Sequence, residues 1–306
     1  MPATRYRVGQ IVTHPTKQGW GPGKVLAVQG AEVTVYFRDA PEVRRGDAIK
    51  RINTTVVALD ASGPQSDPWL DAIPPFRDGG FDIPERRMTL QESFSKFQLH
   101  FPGAFADPEY LRREREYKWR AHEIYESKLG GGRGEALLAQ NDVDEVIGAL
   151  LSVERAVNLL SPFEKAALAD AFRDRDAAAF YAAALSQLVS GPARDETSLS
   201  RLIGAVTDLR AEEGRRRVAT WTVLTIMPFL AQPTRFMFLE PEVTKKAADR
   251  LAFHMGYTPK LNTLTYLRLL TMSDLLLDAL RAFGAVDYID VQSFIWVTGS
   301  YPPDAV

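Results

Sequence analysis

The pattern of hydrophobic positions changes once along the chain, near residue 88. Before residue 60, short runs such as Glu32–Phe37 place apolar residues at every second position, which is the pattern of half-buried strands. Glycine and proline separate the runs at residues 20–23 and at Gly30. So short a sheet buries a core only by curling on itself. Five such runs therefore predict a small SH3-like barrel over residues 1–60.

After residue 89 the apolar residues recur with a helical period. Asp107 before Pro108 is a typical helix start, and Ser161 with Glu164 three positions later is typical of a capping box. We predict helices over residues 107–129, 142–160, from 161, 174–189, 195–213, 216–230, 242–255 and 263–283. Residues 288–297 are compatible with a further helix or with a strand.

Residues 61–88 are rich in proline and glycine and follow neither period. Such a composition favours an extended connector. Its apolar residues are too many for a free tether, so we expect a linker packed on the helical body: Trp69, Leu70, Ile73, Phe76, Phe81 and Ile83. The predicted fold class is multi-domain α+β. A small all-β barrel is followed by a larger, mainly α-helical domain over residues 89–306, which could divide near residue 214.

Composition and charge narrow the classes of function. The chain has 306 residues and a formal net charge of −2, and the absence of cysteine excludes disulfides, thiolate catalysis and cysteine-bound zinc. Residues 1–60 hold nine Lys and Arg against five Asp and Glu, so the predicted barrel is basic and the remainder is acidic. A basic module is compatible with contact to phosphate, and equally with an ordinary charged surface. The N-terminal residues lack a signal sequence and no apolar run is long enough to span a membrane, so we expect a cytoplasmic protein with no membrane partner.

No local motif indicates catalysis. The four histidines have no metal-ligand spacing, and no phosphate-binding glycine loop or nucleophile elbow is present. The glycine-rich run at residues 130–134 lies between two predicted helices, so we interpret it as a connector. We therefore expect no metal and no cofactor, and we favour a non-enzymatic protein. An active site assembled from scattered residues needs no local spacing rule and stays an alternative.

The order VGQIVTHP, WGPGKVLAV, a glycine hairpin and VTVYF resembles the Tudor-like modules of the bacterial DUF3553 type. The resemblance covers about residues 5–52 and includes the pairs His14-Pro15 and Trp20-Gly21 together with Gly23. It extends more distantly to the small barrels of CarD-type transcription factors and of the C-terminal tail of UvrD-type helicases. The better-known relatives are docking modules for RNA polymerase or nucleic acid, so the resemblance implies a binding role.

Nine residues are candidates for binding nucleic acid or a protein partner. Trp20 lies in the first long loop of the predicted barrel, where such barrels often present contact residues, although it could equally cover the barrel end. Trp119 is predicted on the opposite helix face from Tyr117, among arginines, where it could stack on a base or anchor one domain on the other. The full set is Lys17, Trp20, Lys24, Tyr36, Arg44, Arg45, Arg112, Arg115 and Trp119.

Three hypotheses follow from the sequence. The first is an adaptor whose barrel docks on nucleic acid or on a nucleic-acid machine such as RNA polymerase, with a helical protein-interaction domain. The second is an enzyme or nuclease-associated component with a site in the helical domain, which a pocket joining His122 or His254 with carboxylates would favour. The third is a protein-interaction module without nucleic-acid contact. The sequence does not indicate an oligomeric state.

Overall fold

The computed structural model describes residues 6–41, 46–73, 81, 83, 89–192, 194–211, 218–251 and 253–301. The chain divides into two compact units. The first, called here the N-terminal unit, comprises residues 1–94 and 246–255. The second, called the helical unit, comprises residues 95–245 and 256–306.

The N-terminal unit contains a small antiparallel sheet. Its strands are β1 Ile11–Thr13, β2 Pro22–Gln29, β3 Glu32–Phe37 and β4 Ile49–Asn53, and they lie side by side in chain order. A tight turn at Gly30, where φ is +59°, joins β2 to β3 with Gln29 opposite Glu32. The alternation of β3 has the expected result, because Val33, Val35 and Phe37 are buried.

The glycines of the quoted motif are required by packing. Gly21 has a φ of +65°, and an added Cβ there would collide with the Asp39 carboxylate. Gly23 lies in β2 opposite Phe37, and a Cβ would come within 2.6 Å of Val35 Cγ1 and 2.7 Å of Phe37 Cδ1. At both positions the backbone lies so close to β3 and to Asp39 that no side chain fits.

The prediction of a fifth strand at residues 55–59 is wrong, because the sheet that the structure describes has four strands. Residues 55–59 pair with none of the strands that the structure describes, and Asp60 forms an isolated bridge with Thr13 of β1. In that bridge each backbone N–H donates to the other residue's carbonyl, at 2.8 and 3.0 Å. The chain after β4 thus returns to β1, and Leu59 is buried in the sheet's core.

The connector contributes to the same core. A short helix, α1 Pro68–Asp71, begins at Asp67, whose side chain accepts hydrogen bonds from two backbone N–H groups of the first turn. Arg38 pairs with Asp67 at 2.8 Å, which ties this helix to the end of β3. Leu70 and Ile73, which we expected on the helical body, are buried in the sheet's core. The domain boundaries at residues 60 and 88 stay predictions.

The rest of the chain is mainly helical. The helices are α2 Leu90–His100, α3 Pro108–Tyr110, α4 Glu116–Leu129, α5 Arg133–Ala139, α6 Val143–Arg155, α7 Pro162–Ala171, α8 Arg175–Ser190, α9 Glu196–Asp208, α10 Trp221–Ala231, α11 Pro241–Arg250, α12 Thr263–Leu280 and α13 Tyr288–Ser300. A π-helical turn, Leu111–Arg115, joins α3 to α4. Single 3-10 turns occur at Ala104–Ala106 and Arg281–Phe283.

Five predicted helix starts, each at a residue with a capping side chain, are confirmed. Asp107, Asp142, Ser161, Asp174 and Asp195 each accept a hydrogen bond from a backbone N–H of the turn that follows. The strand alternative for residues 288–297 is wrong, because this segment is helix α13. Its apolar residues are continuous since the helix is buried on most sides, so it lacks the one-sided pattern that identifies a surface helix.

Two features form the core of the helical unit. Helix α10 is buried along its whole length, as expected of a helix that is apolar on all sides. An aromatic cluster joins Phe97, Phe105, Tyr110 and Phe294, with the rings of Phe97 and Phe105 stacked at 4.8 Å. Among the helices that the structure describes, none is both long and apolar enough to cross a membrane.

Candidate functional site

An aromatic and basic group of residues lies on the N-terminal unit where the first loop meets the sheet. We call it the Trp20 corner and define it as His14, Lys17, Trp20 and Lys50. The 3-10 turn Gln18–Trp20 places the indole 5.0 Å from the His14 ring and 5.2 Å from the buried Phe37 ring. The Lys50 ammonium stands over the indole, 5.3 Å from its centre. Trp20 and Lys50 are half-buried and Lys17 is exposed.

His14 holds the loop in place. Its Nδ1 accepts hydrogen bonds from the backbone N–H groups of Thr16 and Lys17, at 3.2 and 3.1 Å. Partial burial lowers the pKa of His14, and the Lys17 ammonium lowers it further. The ring is therefore neutral at pH 7, and the positive charge of the corner comes from the two lysines.

Two of the predicted barrel contacts, Lys24 and Tyr36, are buried in the structure. The Lys24 ammonium is buried and donates to the carbonyl oxygens of Leu70 and Ile73, at 2.9 and 3.4 Å, so it stabilises the connector. Burial lowers its pKa. Tyr36 is 2 % exposed and belongs to the core of the sheet. Arg44 and Arg45 lie outside the described residues.

The predicted contacts on the helical unit are not equivalent. Trp119 is 39 % exposed, donates from Nε1 to Glu123 at 3.1 Å, and lines a shallow hollow of about 360 Å³. Arg112 is exposed and pairs with Glu109. Arg115 is mostly buried and pairs with Asp287 and Asp290 of the α13 start, each at 2.7 Å, and it lines the same hollow as Trp119.

A buried polar cluster surrounds the π turn. Glu114 is 4 % exposed and accepts from the Tyr301 hydroxyl at 2.6 Å and from the Lys118 ammonium at 3.3 Å. Lys118 is fully buried and also donates to Ser293 at 2.8 Å. Burial lowers the pKa of Lys118 to about 8. π turns often occur at functional sites, and this one places Arg113 and Glu114 on the wall of a cavity.

This cavity, called here the helical cavity, has a volume of about 830 Å³ and lies within the helical unit. The starts of α7, α10 and α11 and the end of α13 converge on it. Its polar lining consists of Arg113, Glu114, Tyr117, Asn158, Ser161, Glu164, Thr220, Thr222, Glu240, Glu242, Gln292, Ser300 and Tyr301. Its apolar lining consists of Leu159, Phe238, Pro241, Val243 and Trp296. A cavity of this size accommodates a small molecule.

Glu164 is the most strongly hydrogen-bonded carboxylate in the cavity. It accepts from the backbone N–H and hydroxyl of Ser161, at 2.9 and 2.7 Å, and from the hydroxyls of Thr220 and Thr222. Burial raises its pKa, but these hydrogen bonds lower it by more, so the net pKa lies below the ordinary value. Glu164 is therefore ionised at neutral pH although it is half-buried.

Some residues of each site carry a local sequence signal, and the others do not. At the Trp20 corner, Lys17 and Trp20 are predicted contacts. Lys50 is not, because only the pairing of β3 with β4 brings it beside the indole. At the helical cavity, the spacing of Ser161 and Glu164 predicts a capping box. It does not predict a cavity, because Glu240 and Gln292 come from distant parts of the chain. No local spacing connects these positions.

The catalytic alternative gains no specific support. The helical cavity has no histidine among its described lining residues. His122 Nδ1 donates to the Leu230 carbonyl oxygen at 2.9 Å, and the His122 ring lies 4.9 Å from the Trp119 ring. Within the described ranges, no three His, Asp or Glu side chains are close enough to hold a metal ion.

Comparison with known proteins identifies one region. Residues 7–61 match the family model described as Protein of unknown function (DUF3553). This match covers the four-stranded sheet and the bridge that follows it. No curated protein and no solved structure shows a significant match to the chain.

Proposed function

We propose that the protein is a non-enzymatic adaptor that binds nucleic acid through the Trp20 corner. The observation that supports this best is the lysine–indole pair, in which Lys50 lies 5.3 Å from the centre of a partly exposed tryptophan ring. Single-stranded nucleic acid is bound by such combinations, because an aromatic ring stacks on a base while a cation neutralises the adjacent phosphate.

The charge of the surrounding module supports the same partner. Residues 1–60 carry four more basic than acidic residues, although the whole chain is slightly acidic. Arg38 is engaged by Asp39 and Asp67 and Lys24 is buried, so Lys17 and Lys50 supply the charge at the corner. In this proposal the helical unit supplies the second binding surface that an adaptor needs.

The test is fluorescence anisotropy of labelled single- and double-stranded DNA and RNA with the full chain. We expect Trp20→Ala to weaken binding by about 1–3 kcal/mol, the usual value of one base–aromatic stacking contact. Trp119→Ala is the matched control, because it removes another partly exposed indole, on the helical unit. Unfolding midpoints of both variants show whether each remains folded.

Two results would contradict the proposal. One is no binding of any of the four nucleic acids at low salt, which would turn the search to a protein partner such as RNA polymerase. The other is an equal loss for both tryptophan variants, or a loss for Trp119→Ala alone, which would place the contact elsewhere.

A further inference from the structure

We propose that the helical cavity binds an extended organic cation of the diamine or polyamine class. This ligand site is separate from the Trp20 corner and does not depend on the proposed nucleic-acid binding. Four glutamates line the cavity, whereas Arg113 is the one cationic residue among its described lining residues. A cavity lined mainly by one sign of charge attracts ligands of the opposite sign.

Two of these carboxylates form no ion pair among the described residues, although Lys245 is near enough to Glu240 to interact with it electrostatically. Glu164 is held by hydroxyl and backbone N–H groups of Ser161, Thr220 and Thr222. Glu240 accepts from the backbone N–H of Val243 at 2.6 Å. Glu114 and Glu242, in contrast, pair with Lys118 and Lys245. Neutral donors therefore orient both carboxylates, and neither forms an ion pair within the described ranges.

A second observation points to a hydrogen-bond donor as the ligand. Gln292 is 6 % exposed and lines the cavity, and its Oε1 has no hydrogen-bond partner in the part of the chain that the structure describes. A buried acceptor without a donor costs free energy, so native proteins rarely retain one unless a ligand or water satisfies it. An ammonium group supplies N–H donors and positive charge together.

Aromatic rings complete the site. Tyr117, Phe238, Trp296 and Tyr301 line the same cavity, and Trp296 is 37 % exposed. Aromatic faces attract ammonium groups and also pack against methylene chains. The Arg113 guanidinium lies 5.1 Å from the centre of the Tyr301 ring and donates to its hydroxyl at 3.1 Å, so it is already engaged within the protein.

The arrangement favours an extended cation over a metal ion. The carboxylates form no group of three that could share one ion, within the described ranges. Their charges must then be met at separate points. A flexible chain with an amine at each end, such as a diamine or polyamine, meets this requirement inside a volume of about 830 Å³.

The test is isothermal titration calorimetry of the full chain with spermidine and with a matched five-carbon series: 1,5-diaminopentane, 1,5-pentanediol and glutarate. We expect the two amines to bind, and neither the diol nor the diacid to do so. Glu164→Gln and Glu240→Gln should each lower the affinity for spermidine roughly tenfold, because each removes one charge-assisted hydrogen bond. Glu126→Gln, an exposed carboxylate on α4, should leave the affinity unchanged.

Glu164 also completes the capping box of α7, so Glu164→Gln is expected to lower stability. Glu240→Gln and Gln292→Met, which should both weaken binding, keep the test decisive if Glu164→Gln does not fold. Absence of amine binding would overturn the proposal. So would equal binding by wild type, Glu240→Gln and Gln292→Met, or preferred binding of glutarate. None of these results depends on nucleic-acid binding, so the two proposals fail separately.

Discussion

At the residue scale, the same residue type has different roles according to burial. Lys24 and Lys118 lie inside the protein and donate to carbonyl, carboxylate and hydroxyl oxygens, whereas Lys17 is exposed and Lys50 rests on the Trp20 ring. Burying an ammonium is costly unless it is hydrogen-bonded, and both buried lysines meet that condition. Only the other two are available to a partner.

Lys118 provides a prediction at this scale. Because burial lowers its pKa to about 8, the unfolded chain, with an ordinary lysine pKa near 10.5, binds more protons at this site between these two pH values. The free energy of unfolding should therefore rise with pH between about 8 and 10.5, and the stability that Lys118 contributes should be lost as the pH falls through this range. NMR of its side-chain carbon should report a midpoint near pH 8. A midpoint near 10.5 would contradict the buried position, and exposed Lys128 is the internal control.

At the element scale, the π turn Leu111–Arg115 organises the polar part of the helical unit. Consecutive positions of the turn point in different directions. Arg112 reaches solvent, Arg113 and Glu114 reach the cavity, and Arg115 reaches the start of α13. A regular helix would distribute these four side chains at other angles, so the position of the cavity wall depends on this turn.

The contrast between Arg115 and Arg112 tests this account. Arg115→Met leaves the buried Asp287 and Asp290 without their cation, and we expect it to lower the free energy of unfolding by about 3–5 kcal/mol. Arg112→Met removes an exposed pair with Glu109, so its urea midpoint should stay close to that of wild type. Similar losses in both variants would mean that Arg115 does not hold the turn on α13.

The sequence predicts those elements whose signals are local. Capping residues such as Asp107 and Ser161 identified helix starts because a cap depends only on the next three residues. Alternation identified β3, which also forms part of the region that matches the DUF3553 model. The burial of Leu70 in the sheet's core has no local signal, because it depends on residues far away in the chain. The helical cavity could not be predicted, since its walls come from several helices.

At the scale of the whole molecule, the chain carries two candidate binding sites on two compact units. The Trp20 corner is basic and aromatic, and it lies in the DUF3553 region. The helical cavity is acidic and aromatic, and it lies outside that region. Opposite charges favour different ligands, so we propose that the two units bind different partners, as an adaptor requires.

The measurement that tests the central claim most directly is the salt dependence of nucleic-acid binding by wild type and by Lys17→Glu with Lys50→Glu. If both lysines contact phosphates, the slope of log K against log salt should become less steep by roughly 1.4–1.8 in the double variant, the lower value for single strands and the higher for duplex DNA. The control, Lys246→Glu with Lys260→Glu, changes the net charge equally at exposed positions elsewhere and should keep the wild-type slope. An unchanged slope at the corner, or the same change in both double variants, would contradict binding through the Trp20 corner.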